Sequence, residues 1–167
     1  MTGRDARVVV ASTRAAAGER PDTTGPIIRA WLLERGFAAP AQTVVADGAP
    51  VGDAVRAMLA ERPAVILVTG GTGVSPDDRT PEVIAPLLEQ QLPGLIEELR
   101  RRGAATLPSA LLTRGVAGFA GGTFVMTLPG SPGGVNDGLA ILDPLLEHLL
   151  GQREGAPRGE HGAPSDG

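Results

Sequence analysis

An α/β fold is predicted for this chain by three features of its sequence. Short apolar runs at 7–12, 43–46 and 65–68 alternate with stretches whose apolar residues fall at helical spacing. That alternation is the pattern of βαβ units, which build a parallel sheet with right-handed crossovers. Further on, 116–119 and 123–128 have strand character and are joined by Ala120-Gly121-Gly122, a hairpin signal, before a last helical stretch.

The first strand, RVVVAS, leads into a small polar loop through Gly18 to Asp22. Thr23 or Thr24 is placed to cap a helix with Ile27, Ile28, Trp31 and Leu32 inward, and Gly36 ends it as a C′ residue. The second strand reaches Asp47-Gly48, followed by a helix carrying Val51, Val55, Met58 and Leu59 on one face and stopped by Pro63. Residues 65–68 (VILV) form an unbroken apolar run, expected of a strand buried on both faces. Thr80-Pro81 is a helix start, with Thr80 as N-cap and proline at the first helical position. Pro86 should kink or end that helix early. Pro93 opens another, with Leu95, Ile96 and Leu99 inward, the pairs Glu97/Arg101 and Glu98/Arg102 outside, and Gly103 closing it. The last helix carries Val135, Leu139, Leu142, Leu146 and Leu149 and bends at Pro144. Three segments follow: a flexible start at 1–6, one domain at 7–150, and a Gly/Pro-rich disordered tail at 151–167.

Composition narrows the function. At 167 residues and 42% hydrophobic the chain can bury a substantial core, and with 2% aromatics that core must be Ala, Val, Leu and Ile. A formal charge of −4 and few rings for stacking argue against nucleic acid as a partner. The absence of cysteine excludes disulfides, thiolate metal sites and a cysteine nucleophile. No apolar run has the length of a membrane span or a signal peptide, so the expected setting is the cytoplasm, with no membrane partner.

In parallel sheets ligands bind beyond the carboxyl ends of the strands. Here those ends carry Ser12-Thr13, Asp47, the stretch Gly70, Gly71, Thr72, Gly73 to Asp77-Asp78, and Gly130-Ser131. All four are expected to face one crevice. A glycine loop closing on a helix start is a place to hold an anion. Yet there is no Walker lysine, no GxGxxG after the first strand, and no histidine placed to act as a base, since His148 lies in the last helix and His161 in the tail. Carboxylates, hydroxyls and backbone N–H groups remain, a set suited to Mg²⁺ and phosphates. Plainer roles stay open: Asp47-Gly48 as a turn, Asp77 and Asp78 as solvated acids near a helix start, and Ser131 as an N-cap.

The strings TGGTGVSPDDRTPE and LPGSPGGVNDG resemble the molybdopterin-binding MogA/MoaB family, which shares its domain with gephyrin and its plant counterpart. ARVVVASTR, Gly25-Pro26, VVADG and TRGVAG follow in family order, so the resemblance runs from about Arg7 to about Leu150. It implies a three-layer α/β/α domain with a mostly parallel central sheet and a C-terminal β-hairpin plus helix. It implies a homo-oligomer, a trimer or a dimer of trimers, and a partner protein that inserts molybdenum. The activity implied is transfer of AMP from Mg-ATP to the terminal phosphate of molybdopterin, with release of pyrophosphate. The alternative is a non-catalytic module that binds the pterin or a partner. The family's functional aspartates fall on Asp47 and Asp78, which the resemblance makes catalytic and magnesium-binding. Its ligand loops fall on Gly70, Gly71, Thr72 and Gly73 and on Gly130-Ser131, with Ser12 at the first strand end. The chain departs from many members at Asp77, where they carry a basic residue, and at Thr13, where they carry an aspartate.

Overall fold

A computed structural model describes residues 3–155. Six strands form one mixed sheet in the order β2-β1-β3-β6-β5-β4: β1 (Ala6–Ala11), β2 (Thr43–Val45), β3 (Val65–Thr69), β4 (Gln90–Gln91), β5 (Ala117–Ala120) and β6 (Thr123–Leu128). The strands β2, β1, β3 and β6 run parallel, and only β5 opposes its neighbours. Strand order reverses at β1, which has β2 on one side and β3 on the other. That reversal is where the strand ends part and leave a crevice.

Period-2 alternation divides the core between two helical layers. Val8, Val65, Leu67, Phe124 and Met126 face one layer, formed by α2 (Gly25–Glu34), α5 (Pro93–Ala104), α6 (Pro132–Leu142) and α7 (Leu146–Arg153). Val9, Ile66, Val68 and Val125 face the other, where α3 (Ala49–Ala60) and α4 (Thr80–Ile84) supply Val51, Val55 and Ile84. The architecture is therefore the three-layer α/β fold, with the hairpin β5–β6 and then helices at its C-terminal end. Among the described residues no helix is long and apolar enough to cross a membrane.

Several boundaries differ from expectation for local reasons. A four-residue helix, α1 (Thr13–Ala16), interrupts what the sequence makes a loop, because Ser12 Oγ accepts from Ala15 N. Gly25 N donates to Asp22 Oδ1, while the expected cap Thr24 makes no side-chain cap bond. Pro86 ends α4 early, and a 3₁₀ turn at Ala85–Leu87 follows. Arg101 turns to Glu98 one residue nearer than the expected Glu97. The hairpin turn is Gly121-Gly122 alone, since Ala120 pairs with Thr123. After Pro144 the chain resumes as α7, which continues through Gly151 to Arg153, so the tail expected from 151 does not begin there. The start at 1–6 is not loose throughout: Arg4 forms ion pairs with Glu147 and Glu154, and Ala6 opens β1. Residues 1–2 and 156–167 lie outside the described residues.

Candidate functional site

At the carboxyl end of β1, Ser12 caps α1 and places Thr13 against Asp47, which follows β2. The Thr13 N–H and hydroxyl donate to Asp47 Oδ2 at 3.2 and 3.1 Å, and the hydroxyl accepts from Asp47 N at 3.1 Å. Thr13 thus fixes the carboxylate that the sequence singles out.

At the end of β3 the glycines are obligatory. Gly70 has φ +93°, and a Cβ there would collide with the Ala11 carbonyl oxygen. Gly71 has φ +67°, and a Cβ there would collide with Thr80 Oγ1 and stand 3.1 Å from Asp47 Oδ1. Only glycine tolerates both the backbone and the crowding. The loop from β6 comes as near, since a Cβ on Gly130 would lie 3.3 Å from Gly70 Cα. Thr69 Oγ1 ties the two loops by donating to Pro129 O at 2.7 Å.

Asp78 accepts from Ser75 N at 3.0 Å through Oδ2, and its own N donates to Ser75 O at 2.9 Å. A Cβ on Gly73 would sit 2.7 Å from that Oδ2, so this glycine too makes room for a carboxylate. Thr80 is not the cap that its type suggests: Arg79 holds the N-cap position, Thr80 N donates to Gly71 O at 3.0 Å, and the side chain is buried. Thr80 Oγ1 is the buried side-chain polar atom without a partner among the described residues. Such an orphan sits uncompensated unless a ligand or water meets it.

Arg114, in the segment between α5 and β5, holds the whole loop from outside. Its Nε donates to Gly73 O at 2.8 Å, one terminal nitrogen to Asp78 O at 2.6 Å, and the other to Glu82 Oε1 at 2.8 Å. Its backbone N donates to Thr72 O at 2.8 Å. The guanidinium holds the Glu82 carboxyl below its ordinary value, chiefly through that hydrogen bond and only in part through charge. Sequence reasoning assigned Arg114 no role beyond its place in TRGVAG, one of the segments that carry the resemblance, and a lone arginine there has no periodicity that points to its partners.

The nine site residues expected from sequence do not share one crevice; they line two that adjoin. A polar hollow of about 450 Å³ takes in Ser12, Thr13, Asp47, Gly70, Asp77 and the side chains of Arg14 and Arg20. An apolar hollow of about 660 Å³ takes in Thr72, Gly73, Ser131 and the α5–α6 side with Leu99, Leu107 and Leu112. Gly71, Asp78 and Gly130 line both. Ser131 is an N-cap, accepting from Gly134 N at 3.2 Å. Thr72 is buried and accepts from Thr113 Oγ1 at 3.1 Å.

A family profile described as "Probable molybdopterin binding domain" matches residues 7–148. The chain belongs to the MogA/MoaB family of molybdenum cofactor biosynthesis proteins. Among the family's solved structures, the molybdopterin biosynthesis Mog protein of Mycobacterium ulcerans is 47% identical, with a TM-score of 0.87 over 90% of this chain and 99% of that one. The molybdopterin adenylyltransferase of Pyrococcus furiosus is 33% identical over 86% of this chain and 87% of its own length. The molybdenum cofactor biosynthesis bifunctional protein of Synechococcus elongatus is 41% identical over 95% of this chain. The chain spans 50% of the length of that bifunctional relative.

Proposed function

We propose that this member of the MogA/MoaB family transfers the adenylyl group of ATP to the terminal phosphate of molybdopterin. What carries the reading is the junction of the two hollows, where Gly71, Asp78 and Gly130 serve both. A polyphosphate suits the polar side, which Arg14 and Arg20 line together with the loop ends of β1 and β3. A flat heterocycle suits the apolar side among Leu99, Leu107 and Leu112.

A phosphate monoester is largely ionised near neutral pH, so its oxygen attacks without a histidine base. That oxygen forms a bond to the α-phosphorus of ATP. The bond from this phosphorus to the bridging oxygen breaks, and its electron pair leaves with pyrophosphate. The protein's task is to hold two polyanions in line and to offset their charge. The tightly fixed loops at the strand ends serve the first need.

Among the described residues no group of three or more acidic or histidine side chains is gathered for a metal. Asp47 and Asp78, which both line the polar hollow, nonetheless fit magnesium, a hard cation that completes its shell with substrate phosphates and water. Bound there with ATP, it would neutralise phosphate charge. Assembly as a trimer belongs to the same proposal, and analytical ultracentrifugation measures it.

The test is pyrophosphate release from Mg-ATP with molybdopterin. The expected result is turnover that needs both substrates. Molybdopterin binding without any pyrophosphate would instead favour a non-catalytic pterin-binding module, a reading that Asp77 supports by adding a fourth carboxylate to Asp22, Asp47 and Asp78 in the polar hollow.

A further inference from the structure

Asp137 lies on α6 with its side chain on the wall of the apolar hollow. It is half-buried, and among the described residues no hydrogen bond or ion pair engages its carboxylate. No arginine lines that hollow either; the other polar groups are hydroxyls, backbone and Asp78. A half-buried carboxylate on a largely apolar wall, with no protein donor engaged, is free to accept donors from a ligand. Gly103 of α5 lies beside it: a Cβ there would collide at 2.7 Å with the Ala110 side chain and would come to 3.9 Å, an ordinary contact, from Asp137 Oδ2.

The chemistry that meets such a carboxylate is a pair of parallel N–H groups on a flat ring edge, which it accepts with both oxygens. The 2-amino-4-oxo edge of a pterin presents that pair, from the ring N–H and the exocyclic amine. Asp137 is also well spaced for it. Six residue steps along α6 lead from its N-cap Ser131, beside the junction, to Asp137, roughly 9 Å at the helical rise. That span allows the ring to meet Asp137 while the phosphate end of the same molecule reaches Gly71 and Gly130.

We propose that Asp137 is the specificity-determining residue that recognises the amino-oxo edge of the pterin, a step that rests on the reading of this hollow as the molybdopterin side of the site. Replacing the 2-amino group by oxygen turns one of the ring's donors into an acceptor, which the carboxylate repels. A carboxamide at this position offers one acceptor and one donor, the complement of the 2,4-dioxo edge.

Two fluorescent probes test this: a 6-phosphooxymethyl pterin and its 2,4-dioxo counterpart, titrated against the wild-type protein, Asp137→Asn and Asp137→Ala. The wild type should prefer the amino-oxo probe by tenfold or more. Asp137→Asn should bring the two within threefold or reverse the order, and Asp137→Ala should weaken the amino-oxo probe alone. Tightly bound probes with the wild-type preference intact in Asp137→Asn would overturn the assignment and leave the hollow as a pterin site. Binding of neither probe to the wild type would overturn the pterin reading of the hollow, and the assignment with it. Thermal melting of each variant separates these outcomes from unfolding.

Discussion

The two hollows are built from opposite materials although they touch. The polar one rests on loop ends that glycine and threonine lock together: Thr13 on Asp47, Gly70 against the Ala11 carbonyl, Thr69 on Pro129. The apolar one rests on helices, with the α5 and α6 faces and the 3₁₀ turn at Pro108–Leu112 as its walls. Leu107 and Leu112 there are 61% and 53% exposed, an apolar surface left for something to cover. One side fixes charges in place, and the other offers area with a single acid, Asp137, beyond the shared Asp78. Two ligands of unlike chemistry can therefore meet at Gly71, Asp78 and Gly130 without competing for one pocket.

Substitutions should divide along the same line. The largest effect is expected at the shared aspartate: Asp78→Asn should lower pyrophosphate release by about two to three orders of magnitude. Asp47→Asn should do comparable damage but act through nucleotide alone, leaving pterin affinity within twofold by fluorescence titration. If Asp47→Asn weakens both ligands equally, the division into two hollows fails. Next, Gly70→Ala should destabilise the fold by about 1–3 kcal/mol, from its φ of +93° and the collision with Ala11 O, as a lower Tm.

Arg114→Ala should cost about 1–3 kcal/mol of stability, because three side-chain bonds to the loop are lost from a partly exposed guanidinium. Its turnover should fall further than that cost accounts for, as the Asp78 carbonyl is released. Arg114→Lys should restore little, since an ammonium cannot span Gly73, Asp78 and Glu82 at once. The smallest effect concerns pH. The Glu82 carboxyl is held below its ordinary value of 4.5, so its contribution is complete above that value and is lost as pH falls through the lowered one. Glu82→Gln should remove that increment of acid sensitivity from the melting curve, and an unchanged acid limb would show that Arg114 holds the loop by its backbone contacts alone.

How far the sequence anticipated this depended on whether a feature was local. The Val65–Thr69 strand, the proline-opened α5 and the Gly121-Gly122 hairpin all announce themselves through neighbours in the chain. So does Ser131 as a cap. What escaped was non-local or too brief. Strand β4 is two glutamines on a sheet edge, with no apolar face to give a period. Thr80 has the residue type of an N-cap, but packing of the Gly71 loop turned its hydroxyl inward and passed the cap position to Arg79. Arg114 acts on partners 32 to 41 residues away, a distance at which no spacing rule operates. The division of one expected crevice into two followed from where the α5–α6 wall and its 3₁₀ turn came to rest, which only tertiary packing decides.

The ion pairs from Arg4 to Glu147 and Glu154 bring the beginning of β1 and the end of α7 together at the foot of the sheet, where the strands start. Both hollows are lined from the head, where the strands finish. The described ends of the chain therefore lie at the pole opposite the strand ends that line both hollows, so a segment leaving residue 3 or residue 155 starts out away from their mouths.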